Sequence, residues 1–190
     1  MNREPQQIFD ELMVLQSQDG DPDSISRLVT TWHPRLIRYA MKIVGEYESA
    51  VDAVQDSWIA ILNGLKKIDD PAKFRSWAFR IVHNKSFDSI RSNIKLRNVM
   101  DEFSKINHAS ADRNKEFDAA ANGSEEKQRL QIAIRKLRPD DQLVLGLYYE
   151  ENLSIKEIEL VTGATISSIK SRLDRIRKKL KSTLERKSDE

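Results

Sequence analysis

Apolar residues return every three or four positions along most of the chain, a period that suits helices and no flatter structure. Ile25, Leu28, Val29, Trp32, Leu36, Ile37, Ala40 and Val44 keep it over about five turns. Asp23 or Ser24 is placed to cap this helix after Pro22, and Gly45 to end it. Pro34 lies inside the run, so a kink or break is expected near His33. A second stripe holds Tyr47, Val51, Val54, Trp58, Ile61, Leu62 and Leu65; Asn63-Gly64 weakens its end, and Asp69-Asp70-Pro71 marks a turn. A third runs from Pro71 to Ser92, with Phe74, Trp77, Ala78, Ile81, Val82 and Ile90 inward. None of these stripes can bury itself alone. Together they predict one helical domain over residues 24–95, preceded by a helical extension over residues 1–23.

From Leu96 to Ser124 the periodicity fades, and Ala119-Ala120-Ala121-Asn122-Gly123-Ser124 reads as a hinge. Residues 96–124 are therefore expected to form a flexible or partly helical linker. The period returns with Leu130, Ile134 and Leu137, breaks at Pro139, and resumes with Leu143, Val144, Leu147 and Tyr148. A second, smaller helical domain is expected over residues 125–187. The fold class is all-α: two small helical domains joined by a linker.

Charge narrows the function. The net charge of +2 hides an uneven distribution. Residues 1–24 carry Glu4, Asp10, Glu11, Asp19, Asp21 and Asp23 against Arg3. Residues 73–97 reverse this, with Lys73, Arg75, Arg80, Lys85, Arg91, Lys95 and Arg97 facing Asp88. Residues 166–187 set Lys170, Arg172, Arg175, Arg177, Lys178, Lys179, Lys181, Arg186 and Lys187 against Asp174 and Glu185. A basic run is often only a solvated helix face. Two separated basic blocks suit a polyanion touched at two places. The chain has no cysteine, which excludes disulfides, thiol catalysis and Cys-based zinc sites. His33, His83 and His108 have no partner at ligand spacing, and there is no glycine-rich phosphate loop or nucleophile–base pair. No cofactor, no metal and no enzymatic activity are expected. No apolar stretch nears the roughly 20 residues that span a bilayer, and Met1 is not followed by a basic-then-apolar leader, so a cytoplasmic protein without membrane insertion is expected.

Residues 153–180 are the most informative stretch. Ser154 followed by Glu157 is a capping box that opens a short helix burying Ile155, Ile158 and Val161. Gly163 stands where the chain needs a left-handed residue. Thr165 can then cap a second helix with Ile166, Ile169, Leu173, Ile176 and Leu180 inward. Short helix, tight turn and longer basic helix make a helix-turn-helix, with an ordinary basic αα-hairpin as the plainer alternative. The second helix would expose Ser167, Ser168, Lys170, Ser171, Arg172 and Arg175. Small hydroxyl residues allow close approach to a major groove, Arg172 can address guanine, and Lys170 and Arg175 suit phosphates.

Here the chain resembles a known family. Gly163-Ala164-Thr165-Ile166-Ser167-Ser168-Ile169-Lys170-Ser171-Arg172-Leu173 is similar to the recognition helix of region 4 of bacterial sigma-70 factors. Leu137-Arg138-Pro139 and the apolar run Leu143 to Tyr148 resemble its lead-in. Gly20-Asp21-Pro22, with Leu28-Val29 and Leu36, resembles the start of region 2. Asp52-Ala53-Val54-Gln55-Asp56-Ser57-Trp58 is similar to the region 2 signature that docks on the clamp helices of the polymerase largest subunit. Phe74-Arg75-Ser76-Trp77 through Ile81, Asn84, Asp88 and Arg91 follows the pattern of the helix that faces the −10 element. Ala53 and Trp58 depart from the usual Leu and Phe, and Thr165 and Ser168 exchange the usual Ser and Thr. With no room for other regions, the resemblance points to the extracytoplasmic-function (ECF) group.

The resemblance implies a sigma factor that binds core RNA polymerase, at the clamp helices and the flap, and directs it to −35 and −10 promoter DNA. It implies polymerase contacts at Asp52, Gln55, Asp56 and Trp58, the last being alternatively a core residue. It implies −10 contacts at Lys73, Arg75, Arg80, Asn84, Lys85 and Arg91, beside a loop at about residues 63–73 that captures an unstacked base. Phe74 and Trp77, at helical spacing, read as core rather than melting wedges. An anti-sigma factor is a further implied partner. The competing readings are a free-standing helix-turn-helix regulator, which has no use for the Asp52–Trp58 signature, and a sigma-like decoy for an anti-sigma factor, which would normally carry a receiver domain.

Overall fold

A computed structural model describes residues 5–103 and 125–185, all helices and connecting turns with no strand among them. They form two compact units, one on each side of residue 113. No helix among the described residues is long and apolar enough to cross a membrane.

The first unit holds α1 (Pro5–Gln18), α2 (Pro22–Val44), α3 (Tyr47–Gly64) and α4 (Phe74–Phe103). Short 3₁₀ turns, Leu65–Lys67 and Pro71–Lys73, join α3 to α4. The cap of α2 is Asp21, not Asp23 or Ser24: its carboxylate accepts from the Ser24 amide at 2.8 Å. Pro22 takes the first helical position, where a missing N–H costs nothing, and the cap is therefore the residue directly before it. Gly45 ends α2 in the left-handed conformation, as expected. Pro34 does not break the helix. Leu28 and Trp32 before it and Leu36 and Ile37 after it enter the same core, and their burial outweighs the roughly 3 kcal/mol of an interior proline.

Trp32 is the centre of that core, edge-on to Phe74 at 5.1 Å and to Phe79 at 6.1 Å. α1 packs onto α2 through Met13, Val14 and a buried Asp10, whose carboxylate takes the Gln6 amide at 3.0 Å and faces Arg35 at 3.6 Å. Two residues expected inside α3, Tyr47 and Leu62, are exposed. The buried face of α3 runs through Ala50, Ala53, Val54, Ser57, Trp58 and Ile61, and the small ones among them, Ala50, Ala53 and Ser57, let the neighbouring helices come close. Along α4, Phe74, Ala78 and Val82 are buried as expected, whereas Trp77, Ile81 and Ile90 are half-buried. The helix also continues past Ser92 to Phe103, into the start of the expected linker. The hinge at residues 119–124 lies outside the described residues.

The second unit holds α5 (Glu125–Arg135), α6 (Pro139–Leu145), α7 (Ile155–Thr162) and α8 (Ile166–Glu185). The expected apolar helix over residues 143–148 is split: α6 gives way to a π-helical turn, Gly146–Glu150. Leu137, Leu145 and Ile176 join α5, α6 and α8, with Ile134 and Leu180 packed at the side. Leu153, Ile158, Ile169 and Leu173 complete the buried set beneath α7 and α8.

Candidate nucleic-acid interface

The helix-turn-helix is built as its local chemistry dictates. The Ser154 amide donates to the Glu157 carboxylate at 2.8 Å, and the Glu157 amide to the Ser154 hydroxyl at 3.3 Å. Both bonds satisfy amides that a helix start would otherwise leave open. Gly163 leaves α7 at φ +71°, a conformation costly for any residue with a Cβ. Thr165 then caps α8 by accepting from the Ser168 amide at 3.3 Å. The Glu159 carboxylate adds an acceptor for the Ile166 amide at 3.2 Å, tying the two helices across the turn. With Ile169, Leu173 and Ile176 buried, α8 presents Ser167, Lys170, Ser171 and Arg175 to solvent.

Ser168 and Arg172, expected on the same face, are half-buried. They lie on the flank of α8 that meets α6, where Arg172 faces the Asp140 carboxylate at 3.4 Å. Arg175 donates to the buried Asp141 carboxylate at 3.0 Å. Arg172 and Arg175 are thus both held by the first turn of α6. The Asp140-Asp141 pair directly after Pro139 was the available signal for this. On the opposite flank Arg177 donates to the Tyr149 hydroxyl at 2.8 Å and lies over the Tyr148 and Tyr149 rings at 5.7 and 5.9 Å. The Tyr149 hydrogen bond pushes the Arg177 pKa up from its already high value.

In the first unit, Arg80, Asn84 and Arg91 form one exposed stripe along α4, at spacings of four and seven residues. Arg91 is paired with Asp88 at 3.0 Å, and both are exposed. Lys73 is exposed in the turn that leads into α4. Arg75 and Lys85 are half-buried and fall off this stripe. Trp77 packs its ring against Gly64, where a Cβ would stand 2.8 Å from ring carbon Cζ2. The loop between α3 and α4 is pinned from α1: the Gln18 amide donates to the Leu65 carbonyl at 2.9 Å and the Ile68 carbonyl at 2.8 Å. Asp70 caps the second 3₁₀ turn by accepting from the Ala72 amide at 3.1 Å. Sequence periodicity gave no hint of Gln18, because its partners are backbone atoms almost 50 residues away.

A third face lies on α3. Asp52, Gln55 and Asp56 are exposed, and Ile59 (64% exposed) and Leu62 (40%) extend their row along the helix. Trp58 is not part of it. Its side chain is buried and its indole N–H donates to His33 Nδ1 at 3.2 Å, so of its two expected roles the structure supplies the core one. Ile59 was missed because the helix's apolar stripe runs on its other side.

Both units resemble known proteins. The model of sigma-70 region 2 matches residues 28–95, and that of sigma-70 region 4 matches residues 127–180. The RNA polymerase sigma factor YlaC of Bacillus subtilis is 25% identical over 168 residues, covering 88% of this chain and 96% of that one. The RNA polymerase sigma factor NccH of Alcaligenes xylosoxydans xylosoxydans is 28% identical over 182 residues, covering 93% and 95%. Among solved structures, the sigma factor RpoE in complex with the anti-sigma factor NepR from Bartonella quintana superposes with a TM-score of 0.60. It is 22% identical and covers 84% of this chain and 96% of that one, a likeness of fold. The two matched regions together take in more than half of the chain, and the chain belongs to the sigma-70 family of RNA polymerase sigma factors, in its extracytoplasmic-function group.

Proposed function

We propose that the three exposed faces divide the work of promoter-directed initiation, with residues 24–95 and 125–187 as the two working domains and residues 96–124 as the span between them. The Asp52–Gln55–Asp56 face of α3, extended by Ile59, docks on the clamp helices of core polymerase. The α4 stripe of Arg80, Asn84 and Arg91, with Lys73 in the preceding turn, meets the −10 element. Arg75 and Lys85 serve that side from half-buried positions. Ser167, Lys170 and Ser171 of α8 read the −35 element in the major groove, with Ser168, Arg172 and Arg175 on its flank. The second domain also meets the polymerase flap. The chain makes and breaks no bonds: it raises the effective concentration of polymerase at DNA that both domains fit.

The observation that carries this reading is the α3 face. Two carboxylates, an amide and an exposed isoleucine in one row on the unit that also bears the α4 stripe serve a protein partner. A free-standing helix-turn-helix regulator has no use for them. Solved structures of similar fold hold the cytosolic domain of CnrY or the anti-sigma factor NepR, which supports an anti-sigma partner for this chain, itself acting in the cytoplasm. The test is co-purification with bacterial core polymerase. Saturable binding by the wild type, weakened in an Asp52→Ala/Asp56→Ala variant, is expected. A folded protein that binds DNA but never core would overturn the reading.

A further inference from the structure

A cleft of about 240 Å³ opens between the α5–α6 turn and the middle of α8. Its floor is Leu137 and Ile176, both buried. Arg138, Arg175 and Lys179 stand around it, all exposed, and its one acidic group is Asp141. That carboxylate is already engaged by Arg175 at 3.0 Å, which fixes the guanidinium at the cleft edge with further N–H donors to spare. Lys179 donates to the Lys136 carbonyl at 3.4 Å, a long bond that keeps its ammonium beside the turn. Three cations from two elements thus converge on a space whose only carboxylate is neutralised.

The cleft is continuous with the exposed face of α8. Arg175 is one helical turn beyond Ser171 and belongs to both surfaces. Lys179 is one turn further, and Arg138 approaches from the α5–α6 turn on the flank of α8 that meets α6. With Ser167, Lys170 and Ser171 in a groove, a backbone strand bordering that flank would run beside the cleft.

We propose that this cleft seats one backbone phosphate of duplex DNA, held by Arg138 and Lys179 with Arg175 between them. The proposal rests on the reading of α8 as the groove-facing helix. A phosphodiester fits the chemistry: it keeps its charge at every working pH, and its two non-bridging oxygens accept from donors that arrive from different directions. The contact carries no sequence information; it fixes the register of α8 so that its hydroxyl residues meet the intended bases.

The test is a methylphosphonate scan on the holoenzyme. Duplexes selected from a random pool by wild-type holoenzyme are remade with single neutral methylphosphonates along each strand flanking the −35 contact. One position is expected to weaken the wild type about tenfold. At that position an Arg138→Gln/Lys179→Gln variant, already weaker on the unmodified duplex, should lose nothing further. Arg138→Lys/Lys179→Arg, which keeps both charges, should restore the sensitivity. Equal additional loss at every position in both proteins, with melting temperature unchanged, would overturn the phosphate seat while leaving the major-groove reading intact. Wild-type holoenzyme that selects no duplex at all would instead overturn that underlying reading.

Discussion

Arg175 of the recognition helix donates to the carboxylate of Asp141, a buried residue in the first turn of α6, at 3.0 Å. A long cation on an exposed helix face normally samples many rotamers, and this bond removes most of them before DNA arrives. Asp141 therefore acts as a positioning residue. In Asp141→Asn the volume stays and the charge goes. Discrimination between a selected promoter and a scrambled duplex should fall about threefold to tenfold, the effect of roughly 1 kcal/mol. Binding to the scrambled duplex should rise, because one negative charge has left the DNA-facing side. Holoenzyme binding to the two duplexes at matched salt checks this; an unchanged ratio would mean Arg175 is oriented by something else.

Gly64 and Trp77 fix the junction between α3 and α4. A Cβ at position 64 would lie 2.8 Å from Cζ2 and 3.1 Å from Cη2 of the Trp77 ring. Gly64→Ala must therefore push the ring and α4 away from the end of α3. The expected cost is about 1–3 kcal/mol, the range of overpacking, against a small gain in helix propensity. Thermal melting reads the stability loss. Open-complex formation at a promoter should fall more than closed-complex binding, because the displaced helix bears the residues proposed to meet the −10 element. Equal stability of the variant and the wild type would show that the ring relaxes freely.

Ile59 is 64% exposed, in line with Asp52, Gln55 and Asp56. With most of its side chain in solvent, Ile59→Ser should leave the melting temperature within about 1 °C. Core polymerase binding should weaken about tenfold, the scale of a central apolar anchor at a protein interface. Titration of labelled core polymerase separates this from a general folding defect. Undiminished affinity would remove Ile59 from the docking face.

What the sequence made legible follows from which forces are local. The capping box at Ser154 and Glu157 and the left-handed Gly163 depend on neighbours within a turn, and both stand as expected. The helical period located α2, α3 and α4 and most of their buried residues, with exceptions. Tyr47 and Leu62 are apolar yet exposed, because α3 turns its small residues Ala50, Ala53 and Ser57 to the neighbouring helices. Phe79 and Tyr39 are buried, and neither had been placed in an inward stripe. The pattern records side-chain hydrophobicity; it does not record how closely two helices approach. Lys73, Arg80, Asn84 and Arg91 are exposed, whereas Arg75 and Lys85 are half-buried. The ties of Arg172 to Asp140 and of Arg175 to Asp141 span more than 30 residues, and only the packed second unit reveals them.

Tyr39 and His83 tie α2 to α4 through a hydrogen bond of 2.9 Å, with the Phe87 ring 4.7 Å from the imidazole. Burial pushes the Tyr39 phenol up, so it stays neutral throughout the working range, and burial lowers the pKa of His83. The folded state therefore favours the neutral imidazole, whereas the unfolded chain takes up a proton near the ordinary histidine pKa of about 6.5. The sign follows: the stabilising contribution is complete above about pH 6.5 and is lost as the pH falls from there through the lowered folded-state value. The melting temperature of the wild type should drop between pH 7.5 and 5.5 by more than that of His83→Gln, which has no proton to gain. The Gln variant should be less stable at pH 7.5, having lost the ring contact with Phe87. Parallel curves for the two proteins would assign the acid sensitivity to other groups and leave His83 a packing residue alone.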